Sequence, residues 1–220
     1  MTNTRELPLL IFDLDGTLID SAADIHVALN HMLKNHQRPD VDLKTLTSHI
    51  GDGLNKLVND FFPEFTIDSR ENMERVDEFL ELYRGEYLTK MTVLYPGVFD
   101  FLSTYRGPKA LVTNKSIHPT MEIFQHFGLD KLQWVDIIGG DSLAERKPSA
   151  LPLIHVMNKI GYRAENTWMI GDGRPDMKSA LAAGCKKAAV HYGYSSPAEL
   201  APFMPDLVLN KLSDLNSLFT

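Results

Sequence analysis

The sequence predicts an α/β fold, in which a doubly wound, Rossmann-like parallel sheet is interrupted after its first strand by an inserted all-helical cap domain. Three features of the 220 residues support this prediction. A short apolar run lies near the N-terminus, and a long helical region without strand patterns follows it. Short apolar runs then alternate with helical patterns, as they do in βα units. The length is sufficient for one full domain with a smaller insert.

The first strand is predicted by the apolar run at residues 7–12, which ends at Asp13. A run of this kind is typical of a buried parallel strand. A helix is predicted next, with Asp20 or Ser21 as its N-cap. Its apolar residues recur at helical spacing and are Ile25, Leu29, Met32 and Leu33.

The predicted cap spans residues 19–90 and separates two parts of the core, residues 1–18 and 91–220. Apolar runs predict the remaining core strands at residues 110–112, 134–138, 167–170, 188–190 and 207–209. Glycines stand where the intervening helices should end, at Gly128, Gly161 and Gly184. Glycine is the usual residue at that position because it adopts a left-handed conformation readily.

Within the cap we expect a short helix near residues 43–49, then a turn at Gly51-Asp52-Gly53, and then two further helices. The longer helix carries on one face Met73, Val76, Leu80, Tyr83 and Tyr87. Its aromatic residues Phe79, Tyr83 and Tyr87 are interpreted as packing within the cap rather than as a binding platform.

Charge and cysteine usage limit the cellular setting. Asp and Glu outnumber Lys and Arg by 29 to 22 and no basic block exists, so we expect no nucleic-acid partner. The apolar run at residues 7–12 is too short for a signal sequence or a membrane span, and we expect no membrane partner. The single cysteine, Cys185, is interpreted as a buried structural thiol. We therefore predict a cytoplasmic protein. The sequence leaves its oligomeric state open between a monomer and a homodimer.

Polar groups follow several of the predicted strands. They are Asp13-Leu14-Asp15-Gly16-Thr17, Thr113-Asn114, Lys147-Pro148 and Gly171-Asp172-Gly173-Arg174-Pro175-Asp176. In an open α/β sheet, ligands bind beyond the carboxyl ends of the strands, so these groups are the candidate site. Each group alone is weak evidence for a functional site, but their order and their placement at predicted strand ends are together specific evidence for one.

These groups resemble the motifs of haloacid dehalogenase superfamily phosphatases that carry a helical cap after the first motif. The resemblance covers nearly the whole chain. Within the superfamily, the stretches at residues 12–21, 113–116, 139–148, 171–176 and 192–194 most resemble phosphoglycolate phosphatases. The resemblance implies a magnesium-dependent phosphatase that acts on a small phosphorylated metabolite through an aspartyl-phosphate intermediate.

The residue types suit this chemistry. Asp13 closes a rigid strand, and its carboxylate can attack phosphorus and form an acyl phosphate that water cleaves. Asp15 is the candidate general acid for the leaving group and then the base for water. Gly16 permits a tight turn, and Thr17 can donate a hydrogen bond to a neighbouring carboxylate. The alternative for the two aspartates is a solvated acidic turn.

A metal site is expected at the same place. Asp172 ends another apolar run, so it can face Asp13 and share a cation that reduces their repulsion. The resemblance implies Mg²⁺ bound by Asp13, Asp172 and the backbone carbonyl of Asp15, with Asp176 in a supporting role. The alternative for Asp176 is a cap on the helix that begins near Pro175.

Thr113, Asn114 and Lys147 are expected to hold the phosphoryl oxygens, with a plain turn as the alternative for the first two. Lys147 supplies a positive point charge. The neighbouring Lys115 is a candidate substrate contact.

The turn at Gly51-Asp52-Gly53 resembles a loop that reaches into the site in phosphoglycolate phosphatases. Leaving-group contacts are therefore predicted for this turn and for Lys56, with His49 and Asn55 as further candidates. The alternative is a helix-to-helix turn in which Asp52 is an N-cap.

Gly173 and Pro175 depart from the family pattern, which has Ser or a similar residue and Asn there. This departure is the one feature that favours a catalytically inactive binding protein on the same fold. The sequence is also compatible with a phosphatase for a sugar phosphate, a nucleoside monophosphate or pyrophosphate. Thr17 argues against a phosphoglucomutase, and Asp15 against dehalogenases and phosphonatases.

Overall fold

A six-stranded parallel sheet lies at the centre of the computed structural model, which describes residues 7–219. The strands are β1 (Leu9–Phe12), β2 (Ile19–Asp20), β3 (Val93–Leu94), β4 (Lys109–Val112), β5 (Ile137–Ile138), β6 (Thr167–Gly171), β7 (Lys186–Val190) and β8 (Leu207–Leu209). The large sheet has the order β5-β4-β1-β6-β7-β8, and each neighbouring pair is parallel.

Helices surround this sheet and form the cap. They are α1 (Ala22–Asn35), α2 (Leu43–Thr47), α3 (Leu54–Phe61), α4 (Arg70–Leu82), α5 (Val98–Thr104), α6 (Ile117–His126), α7 (Leu151–Ile160), α8 (Arg174–Ala183), α9 (Pro197–Leu200) and α10 (Asn216–Phe219). The glycines predicted at helix ends are confirmed, because Gly128, Gly161 and Gly184 all adopt the left-handed conformation just after a helix.

Both faces of the sheet are buried, which explains the continuous apolar runs of its strands. Successive side chains of a strand point to opposite faces. In β1, Leu10 and Phe12 join the larger apolar cluster, while Leu9 and Ile11 join a second cluster with residues of α7 and α8. The predicted doubly wound parallel sheet is therefore confirmed.

Strand β5 of the core is shorter than predicted. The apolar run begins at Trp134, but the paired strand is Ile137–Ile138. Trp134 packs edge-on against Phe12, and its indole N–H donates to the Leu129 carbonyl at 2.8 Å. Trp134 is therefore apolar because it packs in the core, although it is not part of a strand. In a short apolar run, periodicity does not distinguish a strand from other buried segments.

The chain enters and leaves the cap through a short two-stranded antiparallel sheet. Strand β2 pairs with β3, with Ile19 opposite Leu94 and Asp20 opposite Val93. The region predicted to be helical from residue 19 therefore begins with two strand residues. Between the two strands lie α1 to α4 and a π-helical segment, Tyr83–Tyr87, that continues α4. The predicted cap limits at residues 19 and 90 fall at or close to these two strands.

Asp24 fixes the returning strand to the first cap helix. It is fully buried in α1. Its carboxylate accepts hydrogen bonds from the Met91 N–H at 3.0 Å, the Thr92 N–H at 2.8 Å and the Thr92 hydroxyl at 2.6 Å. A buried carboxylate must be satisfied in this way. The contact sets where the chain leaves the cap.

Among the described residues, no helix combines the length and the apolarity that crossing a membrane requires.

We predict that Asp24→Asn lowers the free energy of unfolding by about 2–3 kcal/mol, because an amide NH₂ group would face donors that now meet a carboxylate. Urea denaturation measures the change. Asp77→Asn on the exposed face of α4 is the control and should change stability by less than about 0.5 kcal/mol. Equal stability of the two variants would contradict the assigned role of Asp24.

Candidate active site

The site lies where three neighbouring strands end. Strand β1 lies between β4 and β6, and Phe12 is in register with Leu111 and Ile170. The residues that follow these strands, Asp13, Thr113 and Asp172, therefore meet at one edge of the sheet. This is the crevice in which open α/β sheets bind ligands.

Three carboxylates form a buried cluster at this edge. Asp13, Asp172 and Asp176 each place an oxygen within 4.8 Å of the others. The Lys147 ammonium lies 2.7 Å from an Asp13 oxygen and 2.6 Å from an Asp176 oxygen, and it donates to the Val112 carbonyl at 2.6 Å. One lysine thus faces three acids, which leaves the cluster with excess negative charge when all are ionised.

The pKa values reflect this excess. Burial, together with the charge of Asp176, raises the pKa of Asp13 to about 7, although Lys147 acts in the opposite direction. Burial and the charges of Asp13 and Asp176 raise the pKa of Asp172 to about 8. Burial alone would lower the pKa of Lys147, but the two neighbouring carboxylates raise it above its usual value. Lys147 therefore stays charged.

The cluster fits a hard divalent cation. Its donors are carboxylate oxygens, and such a cation would offset the charge that Lys147 leaves uncompensated. One buried Asp13 oxygen, the one that lies 2.7 Å from the Lys147 ammonium, makes no hydrogen bond of normal geometry within residues 7–219.

Two residues hold Asp172 in place through hydrogen bonds, and a glycine leaves room for its carboxylate. The Thr17 hydroxyl donates to one of its oxygens at 3.0 Å, and the Tyr194 N–H donates to the other at 2.8 Å. Gly16 has a positive φ of 81°, and a Cβ there would collide with the Asp172 carboxylate. The tight turn predicted at Gly16 therefore also makes room for the acid. Sequence reasoning gave Tyr194 no role, although its place after the apolar run of β7 was a usable signal.

Gly173 and Pro175, which depart from the family pattern, are accommodated without side-chain hydrogen-bond donors. Gly173 is the N-cap of α8, and its N–H donates to the second oxygen of Asp176 at 2.9 Å. Pro175 lies in the first turn of the helix, where an N–H is not needed. Asp176 thus caps the helix with one oxygen and contacts Lys147 with the other.

Asp15 faces the space above the cluster. The Ser21 hydroxyl donates to one of its oxygens, and the Lys115 ammonium lies 3.2 and 3.3 Å from the two oxygens. Lys115 also lies over the Tyr83 ring, 4.8 Å from its centroid. Lys115 therefore links a core acid to the cap.

Asn114 joins the cap to the core. Its side-chain NH₂ group donates to the Gly51 carbonyl at 2.8 Å and to the Lys147 carbonyl at 2.9 Å. Thr113 accepts a hydrogen bond from the Lys115 N–H at 3.1 Å. The amide protons of Asn114 are thus occupied by backbone carbonyls.

A cavity lies between the cap and these strand ends. Its floor is polar and its cap-side wall is largely apolar. Its lining residues are Asp13, Asp15, Ile25, His49, Ile50, Gly51, Gly53, Leu54, Leu57, Phe79, Leu80, Tyr83, Thr113, Asn114, Lys115, Ser116 and Pro119.

The structure brings some of the predicted cap contacts to this cavity and not others. Gly51, Gly53 and His49 line it, whereas Asp52 is exposed and does not. Lys56 is also absent from the lining, and its ammonium pairs with Asp60 one turn along α3. His49 pairs with the same carboxylate at 2.8 Å. Opposite charges spaced i, i+4 meet readily on a helix, which accounts for the direction of Lys56.

Comparison with known proteins agrees with this geometry. A model of the haloacid dehalogenase-like hydrolase family matches residues 10–190. The chain is 35% identical over 221 residues to a phosphoglycolate phosphatase of Chromobacterium violaceum, with 98% of each chain covered. It is 34% identical over 220 residues to phosphoglycolate phosphatase 1 of Pseudomonas aeruginosa, covering 96% of this chain and 79% of that one.

A solved structure shares the whole fold. It is described as a predicted phosphoglycolate phosphatase from Haemophilus somnus, and its TM-score is 0.88 at 28% identity, with 99% of this chain and 100% of that chain covered. The chain belongs to the haloacid dehalogenase-like hydrolase family. It is a phosphatase of that family, similar to phosphoglycolate phosphatases, and the resemblance read from the motifs is confirmed.

We predict that Gly16→Ala lowers kcat/KM at least about 100-fold on any phosphomonoester, because the added methyl group displaces Asp172. Gly161→Ala is the matched control, since Gly161 also has a positive φ but a Cβ there meets nothing within 4 Å. The control should lose about 1–2 kcal/mol of stability from the same backbone strain and keep its activity. Steady-state kinetics of both variants on the same phosphomonoester measure the two values of kcat/KM.

Proposed function

We propose that the protein is a magnesium-dependent phosphatase that hydrolyses 2-phosphoglycolate or a similarly small phosphorylated acid through an aspartyl-phosphate intermediate. The observation that supports this proposal most directly is the buried cluster of Asp13, Asp172 and Asp176 beside Lys147, beneath the cavity between the cap and the core. The names of the relatives favour the substrate class.

In the proposed reaction, an Asp13 oxygen attacks the phosphorus atom and the bond to the leaving oxygen breaks. The rigid end of β1 fixes the position of this nucleophile. Lys147 stays charged beside it and attracts the phosphoryl oxygens. Thr113 and Asn114 line the same floor, and because the amide protons of Asn114 are occupied, its role is to position the loop around Lys147.

Asp13, Asp172 and the backbone carbonyl of Asp15 would hold Mg²⁺, with Asp176 behind them. When bound, Mg²⁺ neutralises the carboxylates and the charge of the phosphoryl group. This assignment is supported by the oxygen-only donor set and by the excess negative charge of the cluster.

Asp15 is the proposed acid and base. Its carboxyl group would give a proton to the leaving oxygen and later take one from the water that cleaves the acyl phosphate. Ser21 and Lys115 hold its oxygens, which fixes the orientation of the carboxyl group. The cap above Asp15 limits the access of water to the acyl phosphate.

The cap would choose the leaving group. Gly51 and Gly53 already lie in the cavity wall, and Asp52 stays a predicted contact beside them. Contact through Lys56 requires its ammonium to leave Asp60. The cytoplasmic location and the monomeric or homodimeric state also stay predictions.

We predict that Asp13→Asn lowers kcat for 2-phosphoglycolate at least about 1,000-fold while the fold persists, because the amide keeps the volume of the nucleophile without its charge. Phosphate release and circular dichroism measure the two effects, and Asp130→Asn on the exposed surface is the control. A panel with a sugar phosphate, a nucleoside monophosphate and pyrophosphate tests the substrate. Higher kcat/KM on one of these would replace 2-phosphoglycolate, and wild-type rates in Asp13→Asn would exclude the mechanism.

We predict that Asp172→Ala raises the Mg²⁺ concentration for half-maximal activity at least about tenfold, because a ligand is lost. Titration calorimetry with Mg²⁺ provides a second measurement that does not depend on turnover. Asp130→Ala serves as the control. Unchanged Mg²⁺ affinity in Asp172→Ala would show that the ion is bound elsewhere.

A further inference from the structure

The hydroxyl of Tyr83 is a buried polar group whose proton has no acceptor among the described residues. The side chain is 2% exposed and lines the cavity. Its hydroxyl makes no hydrogen bond of normal geometry to any part of residues 7–219. Buried hydroxyl groups are almost always hydrogen-bonded, and an exception beside a cavity points to a ligand. The interpretation of this residue as cap packing explains its ring but not its hydroxyl.

The backbone changes at the same residue. Helix α4 ends at Leu82, and Tyr83–Tyr87 continues as a π-helical segment. Such segments are rare and are frequently found at functional sites, where they redirect side chains. Here the segment begins with the residue whose hydroxyl is unsatisfied. The backbone geometry is therefore an observation independent of the hydrogen bonding.

The surroundings of this hydroxyl are suited to a negatively charged oxygen. Lys115, from the core, lies over the Tyr83 ring and carries the fixed positive charge among the lining residues. Burial raises the pKa of Tyr83 to about 12, so the hydroxyl remains a donor at neutral pH. Lys115 also contacts both oxygens of Asp15. A group bound here would lie beside the residue proposed to protonate the leaving oxygen.

We propose that the Tyr83 hydroxyl and the Lys115 ammonium form a subsite for a carboxylate of the leaving group. This inference rests on the proposed phosphatase function and names the residues that would select a phosphorylated acid. In a 2-phospho acid one carbon separates the ester oxygen from the carboxylate, so the subsite must adjoin Asp15, as these two donors do. Lys56, the other lysine predicted to contact the leaving group, does not line the cavity.

The test is the selectivity of Tyr83→Phe, which removes the hydroxyl and keeps the ring. The measured quantity is the ratio of kcat/KM for 2-phosphoglycolate to kcat/KM for ethyl phosphate, which lacks the carboxylate. We expect this ratio to fall about tenfold or more, as the loss of one hydrogen bond to a charged group implies. Tyr87→Phe is the matched control because Tyr87 is in the same segment, bonds His31 at 3.0 Å and does not line the cavity. Its ratio should stay within about twofold of wild type.

Thermal unfolding separates recognition from a structural role. Tyr83→Phe should have a Tm equal to or above that of wild type, because an unsatisfied buried hydroxyl stabilises nothing. Tyr87→Phe should have a lower Tm because it loses a hydrogen bond. A Tm of Tyr83→Phe that falls as far as that of the control would overturn the proposal, since the hydroxyl would then be bonded in the free protein.

Measurements on the wild-type protein separate the proposed phosphatase function from the proposed carboxylate subsite. If it hydrolyses neither phosphate ester, the proposed function is wrong and the subsite has no substrate to select. If it hydrolyses both without preferring 2-phosphoglycolate, the function stands and the carboxylate subsite is wrong. If it prefers 2-phosphoglycolate and Tyr83→Phe keeps that preference, the assignment to Tyr83 is wrong.

Discussion

The structure depends on one electrostatic constraint, which is the burial of three carboxylates at a single edge of the sheet. Asp13, Asp172 and Asp176 repel one another, and burial removes the water that would weaken this repulsion. Lys147 compensates one charge and is held by the two acids that it contacts. Thr17, Gly16 and the loop at Tyr194 then serve one requirement, the placement of the Asp172 oxygens.

The cap meets a different requirement, because it must cover these charges and still leave space for a substrate. Asp24 fixes the strand by which the chain returns from the cap. Asn114 connects the loop at Gly51 to the core. The apolar residues of the cap belong to the same cluster as one face of the sheet, so closure also buries hydrophobic surface. The cavity that remains has a charged floor and an apolar wall.

The core of the site could be predicted because an acid at the end of an apolar run is a local anomaly. Asp13 and Asp172 were found in this way, and parallel strands bring such residues together. Lys56 was predicted to contact the leaving group, but its ammonium pairs with Asp60. Sequence spacing places a residue on a helix face and does not show which partner its side chain takes. The hydroxyl of Tyr83 was missed because helical spacing shows that a side chain is buried but not what its polar atom contacts. The apolar run at Trp134 shows the same limit for strands.

The contact between Asn114 and the cap has a consequence for how the specificity of this fold can diverge. The core holds the loop through the backbone carbonyl of Gly51, not through any side chain of the turn. The neighbouring Asp52 is exposed and takes no part in the attachment. The side chain at position 52 can therefore be exchanged over generations while the loop stays attached, whereas the positive φ of Gly51 and Gly53 favours glycine at those positions. Recognition of new leaving groups can arise without disturbing the residues that break the phosphate ester.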